Sequence, residues 1–217
     1  MKKFIAIDFD HTIAYHRGGR EVLFRILRKN GIPLRKIGEI YERTKKEHGL
    51  SAEGLFRVAQ EYVTEPLNKE AIARDVVLWL HSSVTCYPEA AKAMAMWKAA
   101  NIPIYIVTVG TPEFQKKKVE IANVPHDDIF VLDTVNNKSG VLKQLLARYG
   151  APCIFIDDKA TELDAIRESG LNREDVATFR IRRKNSPYYT QVPVFPHIEI
   201  ATLDDISPIS DLFPYVQ

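Results

Sequence analysis

The 217-residue chain is 46% hydrophobic and 27% charged, a composition that rules against intrinsic disorder or a membrane-embedded fold and suits one large or two small folded units. Thirty basic residues against 28 acidic ones leave a net charge of +2, so binding to nucleic acid is not expected without a local basic patch. Cys86 and Cys153 are the only cysteines, and the apolar run before Asp8 is too short for a secretory leader, so the expectation is a cytoplasmic protein with reduced thiols and no membrane association.

A buried strand is predicted at about residues 3–8. Its run Ile5-Ala6-Ile7 ends abruptly in Asp8-Phe9-Asp10-His11-Thr12. An apolar strand of this kind suits the centre of a parallel sheet, and such sheets bind ligands beyond the carboxyl ends of their strands. Two carboxylates crowded there repel each other. A hard divalent cation such as Mg²⁺ would relieve that repulsion, although Asp and Thr at a strand end can equally satisfy turn or helix-cap amides.

The next 70 residues carry no convincing strand. Helical patterns cover 20–29, 33–48, 51–63 and 68–81, with Ser51 and Asn68 as candidate N-caps. Each helix carries one apolar stripe, among them Leu23, Phe24 and Leu27, then Leu55, Phe56, Ala59 and Tyr62. Stripes of this kind pack against one another in a small bundle. The glycine pair Gly18-Gly19 precedes the first helix and offers backbone freedom for a hinge.

After Tyr87-Pro88 helices and strands alternate. Helices are predicted at 88–101, 112–122, 139–149 and 161–169, and strands at 104–108, 129–132 and 153–156. Short connections between them argue for an α/β domain with a parallel sheet and right-handed crossovers, interrupted after its first strand by the helical block. Three more chemical positions fall at the ends of these elements. Thr108 and the Val109 amide end one strand and could hold an anionic oxygen. Lys138 opens a helix after Asn136-Asn137, against the helix dipole, a cost that a nearby phosphate would offset. Asp157 and Asp158 end a third strand and repeat the crowding of Asp8 and Asp10.

These four motifs, in this order, resemble those of the haloacid-dehalogenase-like phosphohydrolase superfamily. The likeness covers about residues 1–15 and 85–170, and the helical block looks like that family's C1-type cap. It implies a Rossmann-like core of residues 1–15 and 85–217, with a cap of residues 16–84. Asp8 would be the nucleophile and Asp10 the general acid and base. Thr108, Val109 and Lys138 would bind the phosphoryl group. Mg²⁺ would be held by the Asp8 carboxylate, the Asp10 carbonyl and Asp158, with Asp157 beside them. The common Lys-Pro form of the third motif is Lys138-Ser139 here, so Lys159 is a rival for the phosphate-stabilising lysine. Dehalogenase branches attack carbon without a second acid, so Asp10 favours phosphate chemistry. The implied activity is Mg²⁺-dependent hydrolysis of a small phosphorylated metabolite through an aspartyl phosphate. A phosphotransferase using the same intermediate, or a non-catalytic phospho-ligand module, are the alternatives.

His16, Arg17 and Arg20 are candidate substrate-loop residues beside the glycine pair. Lys116-Lys117-Lys118 reads as a solvated helix face. The cluster Arg180, Arg182, Arg183 and Lys184, followed by Tyr188 and Tyr189, reads as a charge-protected strand edge or a phosphate-rich ligand site.

Overall fold

The computed structural model describes residues 3–133, 137–150 and 152–206. β1 (Phe4–Ile7) and a short β2 (Ala14–His16) precede four helices, α1 (Gly19–Lys29), α2 (Leu34–Glu47), α3 (Ala52–Gln60) and α4 (Lys69–Ser83). β3 (Val84–Cys86), α5 (Pro88–Ala99), β4 (Ile104–Val109), α6 (Pro112–Ala122) and β5 (Asp128–Leu132) come next. α7 (Lys138–Tyr149), β6 (Cys153–Asp157), α8 (Ala160–Glu168), β7 (Val176–Ile181) and β8 (Ile198–Ile200) follow, ahead of a 3₁₀ turn at Leu203–Ile206. β2 and β3 form a two-stranded sheet of their own. No helix among the described residues is long and apolar enough to cross a membrane.

By packing, the chain divides into a sheet unit (1–15, 86–109 and 123–217) and a helical unit (16–85 and 110–122). The sheet unit is a six-stranded parallel sheet in the order β5-β4-β1-β6-β7-β8, an α/β, Rossmann-like fold. β1 sits inside it because all four of its residues are apolar and can be buried on both faces. Alternation splits the strands' side chains. Phe4 and Ala6, with Tyr105, Val107 and Phe155, face α7 and α8, where Leu142, Leu145, Leu163 and Ile166 complete one core. Cys86 and Cys153 are both free thiols.

The helical unit has its own core. Leu23 and Leu27 of α1, Ile37 and Ile40 of α2, Leu55 and Val58 of α3, and Ile72, Val76 and Trp79 of α4 form one buried cluster. Ser51 and Asn68 cap α3 and α4 as the sequence predicts, accepting hydrogen bonds from the amides of Gly54 (3.0 Å) and Ala71 (2.8 Å). Residues 110–122 group with these helices, although alternation alone puts α6 with the sheet. The reason is local: Phe114 and Ile121 join the helical cluster, and the Thr111 hydroxyl donates to the Leu50 carbonyl (2.8 Å). Lys118 is buried rather than solvated, with its ammonium 6.0 Å from the centre of the Phe114 ring.

The basic cluster after residue 179 also differs from its sequence reading. β7 is an interior strand between β6 and β8, so it has no edge to protect. Arg180 is buried and pairs with Glu199 (3.2 Å), which also takes Arg182 (3.1 Å). Arg183 is buried too, and pairs with Glu89. The three guanidinium groups are committed within the fold.

Candidate active site

The site is built at the carboxyl ends of β1, β4 and β6. The registers Ile7↔Ile106 and Ile7↔Ile156 bring three strand ends to one level. One residue further on, Asp8 stands beside Asp157, and its amide donates to the Ile156 carbonyl (2.9 Å). Thr108, near the end of β4, is 1% exposed. Beyond Asp8 the chain turns at once. The amides of Thr12, Ile13 and Ala14 all donate to the Phe9 carbonyl, and His11 takes a left-handed φ of 60°. That turn holds Asp10 partly buried and Thr12 fully buried.

Lys138 is the first residue of α7 and is 3% exposed. Its Nζ lies 2.5 Å from Asp8 Oδ1 and 2.7 Å from Asp157 Oδ2. Two carboxylates therefore offset the unfavourable placement of a cation at a helix N-terminus. Lys159 does not reach Asp8: its ammonium pairs with Glu162 (3.4 Å) and lies 5.5 Å from the Tyr188 ring centre. Its backbone amide donates to Asp157 Oδ1 (2.9 Å). Asn136, read with Asn137 as the lead-in to Lys138, lies outside the described residues.

Asp8, Asp157 and Asp158 offer oxygens that all lie within 4.8 Å of one another. Three buried carboxylates share one ammonium. Burial pushes the Asp8 carboxyl well above its ordinary value, and the charges of Asp157 and Asp158 add to this against the pull of Lys138. Burial likewise raises Asp157. Asp158 is raised to about 7 by burial and by Asp157, with the Ser186 hydroxyl working against the rise. Burial opposes the charge on Lys138, but Asp157, Asp8 and Glu162 together hold its pKa above the ordinary lysine value.

This donor set fits a hard divalent cation. Both oxygens of Asp157 accept hydrogen bonds, from Lys138 and from the Lys159 amide. Asp8 Oδ1 faces Lys138, and Asp158 Oδ2 accepts from Ser186. One oxygen on each of Asp8 and Asp158 accepts no hydrogen bond among the described residues. Those two residues could hold a metal through an oxygen not already engaged, with Asp157 anchoring the lysine. The Asp10 carboxylate is not part of the three-acid cluster.

Sequence reading missed Ser186, and it named Arg183 only as part of the basic cluster. Ser186 accepts from the Tyr188 amide (2.9 Å), which directs its own proton to Asp158. Arg183 donates to the Thr12 carbonyl (3.1 Å) and lies 3.9 Å from the Tyr87 ring centre, so it braces the turn after Asp8. Both follow β7, where charge was the visible signal and pairing was not. The candidates His16, Arg17 and Arg20 belong to the helical unit. There His16 stacks on Trp79 (5.2 Å between ring centres) and contacts Ser83 Oγ (3.2 Å). The Arg17 amide donates to the Ser83 carbonyl (2.7 Å), and Arg20 pairs with Glu42 (3.7 Å).

Similar folds occur among solved structures. A provisional haloacid dehalogenase-like hydrolase from Burkholderia xenovorans superposes with a TM-score of 0.70 at 17% identity, covering 100% of this chain and 99% of that one. A HAD phosphatase from Thermococcus onnurineus gives 0.64 at 15% identity, covering 97% and 98%. An L-2-haloacid dehalogenase gives 0.59 at 15% identity, covering 95% and 98%. These likenesses establish the fold and leave the chemistry open between phosphorus and carbon. No curated protein sequence matches the chain. A family model described as haloacid dehalogenase-like hydrolase matches residues 2–170. That match spans β1, β4, β5 and β6 of the sheet, the aspartate cluster and the helical insert, and it makes this chain a member of the haloacid dehalogenase-like hydrolase family.

Proposed function

We propose that this hydrolase cleaves a phosphomonoester of a small metabolite with the help of Mg²⁺. The observation that carries the reading is the charge of the site: three buried carboxylates, Asp8, Asp157 and Asp158, against one lysine. A cation bound by Asp8 and Asp158 would balance that charge and help to neutralise a phosphoryl dianion.

The chain's own residues then divide the work. Asp8 attacks phosphorus, the ester bond breaks, and the leaving alkoxide takes a proton from Asp10. The Asp10 carboxylate next removes a proton from water, whose oxygen attacks the phosphorus of the aspartyl phosphate. Inorganic phosphate leaves and Asp8 returns as a carboxylate. Lys138, the Thr108 hydroxyl and the Val109 amide are assigned to the phosphoryl oxygens, the electrostatic part that dominates phosphoryl transfer. The helical unit is the candidate cap, and substrate choice is assigned to it.

The test compares two products from one protein preparation. With an aryl phosphate and Mg²⁺ the protein should release inorganic phosphate, and chelation should stop it. Chloride release from a 2-haloacid, with no phosphate release from any of a panel of phosphate esters, would overturn the reading.

A further inference from the structure

A second polar cleft lies away from the aspartates, within the sheet unit. It is lined by Arg167, Arg173, Ala177, Thr178, Pro196, His197 and Ile198 and holds about 260 Å³. The parallel register places Asp157 opposite Arg180, whereas Thr178 lies two residues earlier on β7 and Arg173 precedes that strand. The cleft therefore opens toward the amino-terminal ends of the strands, and the catalytic carboxylates stand at the other end.

Two arginines meet there, and neither has a counter-ion among the described residues. Arg167 donates to three neutral oxygens: the carbonyls of Leu171 (3.3 Å) and Val176 (2.9 Å), and Thr178 Oγ1 (2.8 Å). A guanidinium has five N–H donors. Among the described residues the buried Arg167 Nε–H has no partner, and one hydrogen on Nη1 is also unspent. Arg173 is exposed and makes no ion pair among the described residues. Burial and the nearby positive charge of Arg173 both hold Arg167 below its ordinary pKa.

The remaining polar groups are fixed by a chain of hydrogen bonds. Asp164 accepts from the amides of Val194 (3.0 Å) and Phe195 (3.0 Å), and His197 Nε2 lies 3.0 Å from its Oδ1. That contact places the imidazole proton on Nε2. His197 Nδ1, 2.8 Å from Thr178 Oγ1, then accepts the threonine proton, and Thr178 accepts from Arg167. Asp164 is thus used up on the far side of His197, and no carboxylate lines the cleft.

We propose that this cleft is an oxyanion-binding site for a small phosphate or carboxylate, gripped by Arg173 and by the unspent Nη1 hydrogen of Arg167. Guanidinium groups match both ligands by paired hydrogen bonds. Ala177, Pro196 and Ile198 supply an apolar wall beside the charge, which suits a compact ligand with a short hydrocarbon part.

The experiment uses the full-length protein in chelator, so that no divalent cation recruits phosphate to the aspartates. The ring signals of His197, identified by their loss in His197→Gln, are followed by NMR during separate titrations. Inorganic phosphate, succinate and sodium chloride at matched ionic strength are added in turn. Phosphate or succinate should give a saturable shift that chloride does not, and the tighter of the two names the ligand class. Arg173→Ala, which removes an exposed side chain with no internal partner, should weaken that binding roughly tenfold. Asp8→Asn should leave it intact. No saturable shift with either oxyanion, an equal shift with chloride, or binding indifferent to Arg173→Ala would overturn the proposal, and so would its loss in Asp8→Asn.

Discussion

Asp8 and Asp10 are two residues apart on one turn, yet only Asp8 reaches Lys138 and the carboxylate cluster. Their substitutions should therefore differ in kind. Asp8→Asn should abolish turnover. Asp10→Asn should slow alkyl phosphate hydrolysis by roughly a hundred- to ten-thousand-fold and accumulate a phosphorylated enzyme, visible as one added phosphoryl group by mass spectrometry after acid quench. A phosphoryl adduct on the Asp8→Asn protein would contradict the assignment. The same cluster predicts a stability response. Mg²⁺ should relieve the repulsion among the three acids and raise the melting temperature. A ligand at a hundredfold excess over its Kd stabilises by about 2.7 kcal/mol. Asp158→Asn should remove most of that increment, and an identical increment in the variant would exclude Asp158 as a ligand. These acids were legible in the sequence because charge at the end of an apolar strand has few structural uses. The parts played by Ser186 and Arg183 were not, since partners 28 and 171 residues away leave no local pattern.

Turns and connections set the next scale. Gly18 and Gly19 have φ values of 78° and 55°, and α1 starts from them. The sequence offered them as a hinge, where alanine at both positions is expected to lower turnover and leave thermal stability nearly intact. The structure alters that expectation, because a Cβ on Gly18 would sit 3.0 Å from Val22 and left-handed backbone disfavours any side chain. Each Gly→Ala change should cost about 1–2 kcal/mol by denaturant titration. Asp164 is the tie of the segment entering β8, through two backbone amides and His197. Burial works to raise its carboxyl, but those three hydrogen bonds outweigh burial and hold it below the ordinary value. A depressed folded pKa gives stability that is complete above roughly pH 4, the unfolded value, and is lost as pH falls through the folded one. Asp164→Asn should therefore destabilise the protein at pH 7 by about 1.5–3 kcal/mol. The gap between the melting temperatures of wild type and variant should narrow below pH 4, and a constant gap would refute the tie.

For the molecule as a whole, periodicity and turn residues were enough to find the helices, the central strands and the α/β class. They could not place α6, whose partners are decided by Phe114 and Ile121 meeting α4 and its neighbours. β7 was read only as a strand edge, because its arginines suggested solvent, and β8 was missed, being three residues long. Phe114→Ala should destabilise by about 3 kcal/mol. Hydrogen exchange should locate the loss, with faster exchange in α3 and α4 than in β1. Uniform acceleration across both units would show that they do not respond separately. β1 has a further consequence for how the chain acquires its structure. Its partners are Ile104 and Ile154, so the strand at the middle of the sheet leaves the ribosome long before either neighbour exists. At about 5–20 residues per second, the hundred residues to β4 take on the order of 5–20 s to make. The first four helices, whose contacts are close in sequence, can collapse during that interval, while closure of the sheet waits for pairings of long range. Refolding from denaturant should show the same order, helical protection first and β1 protection last.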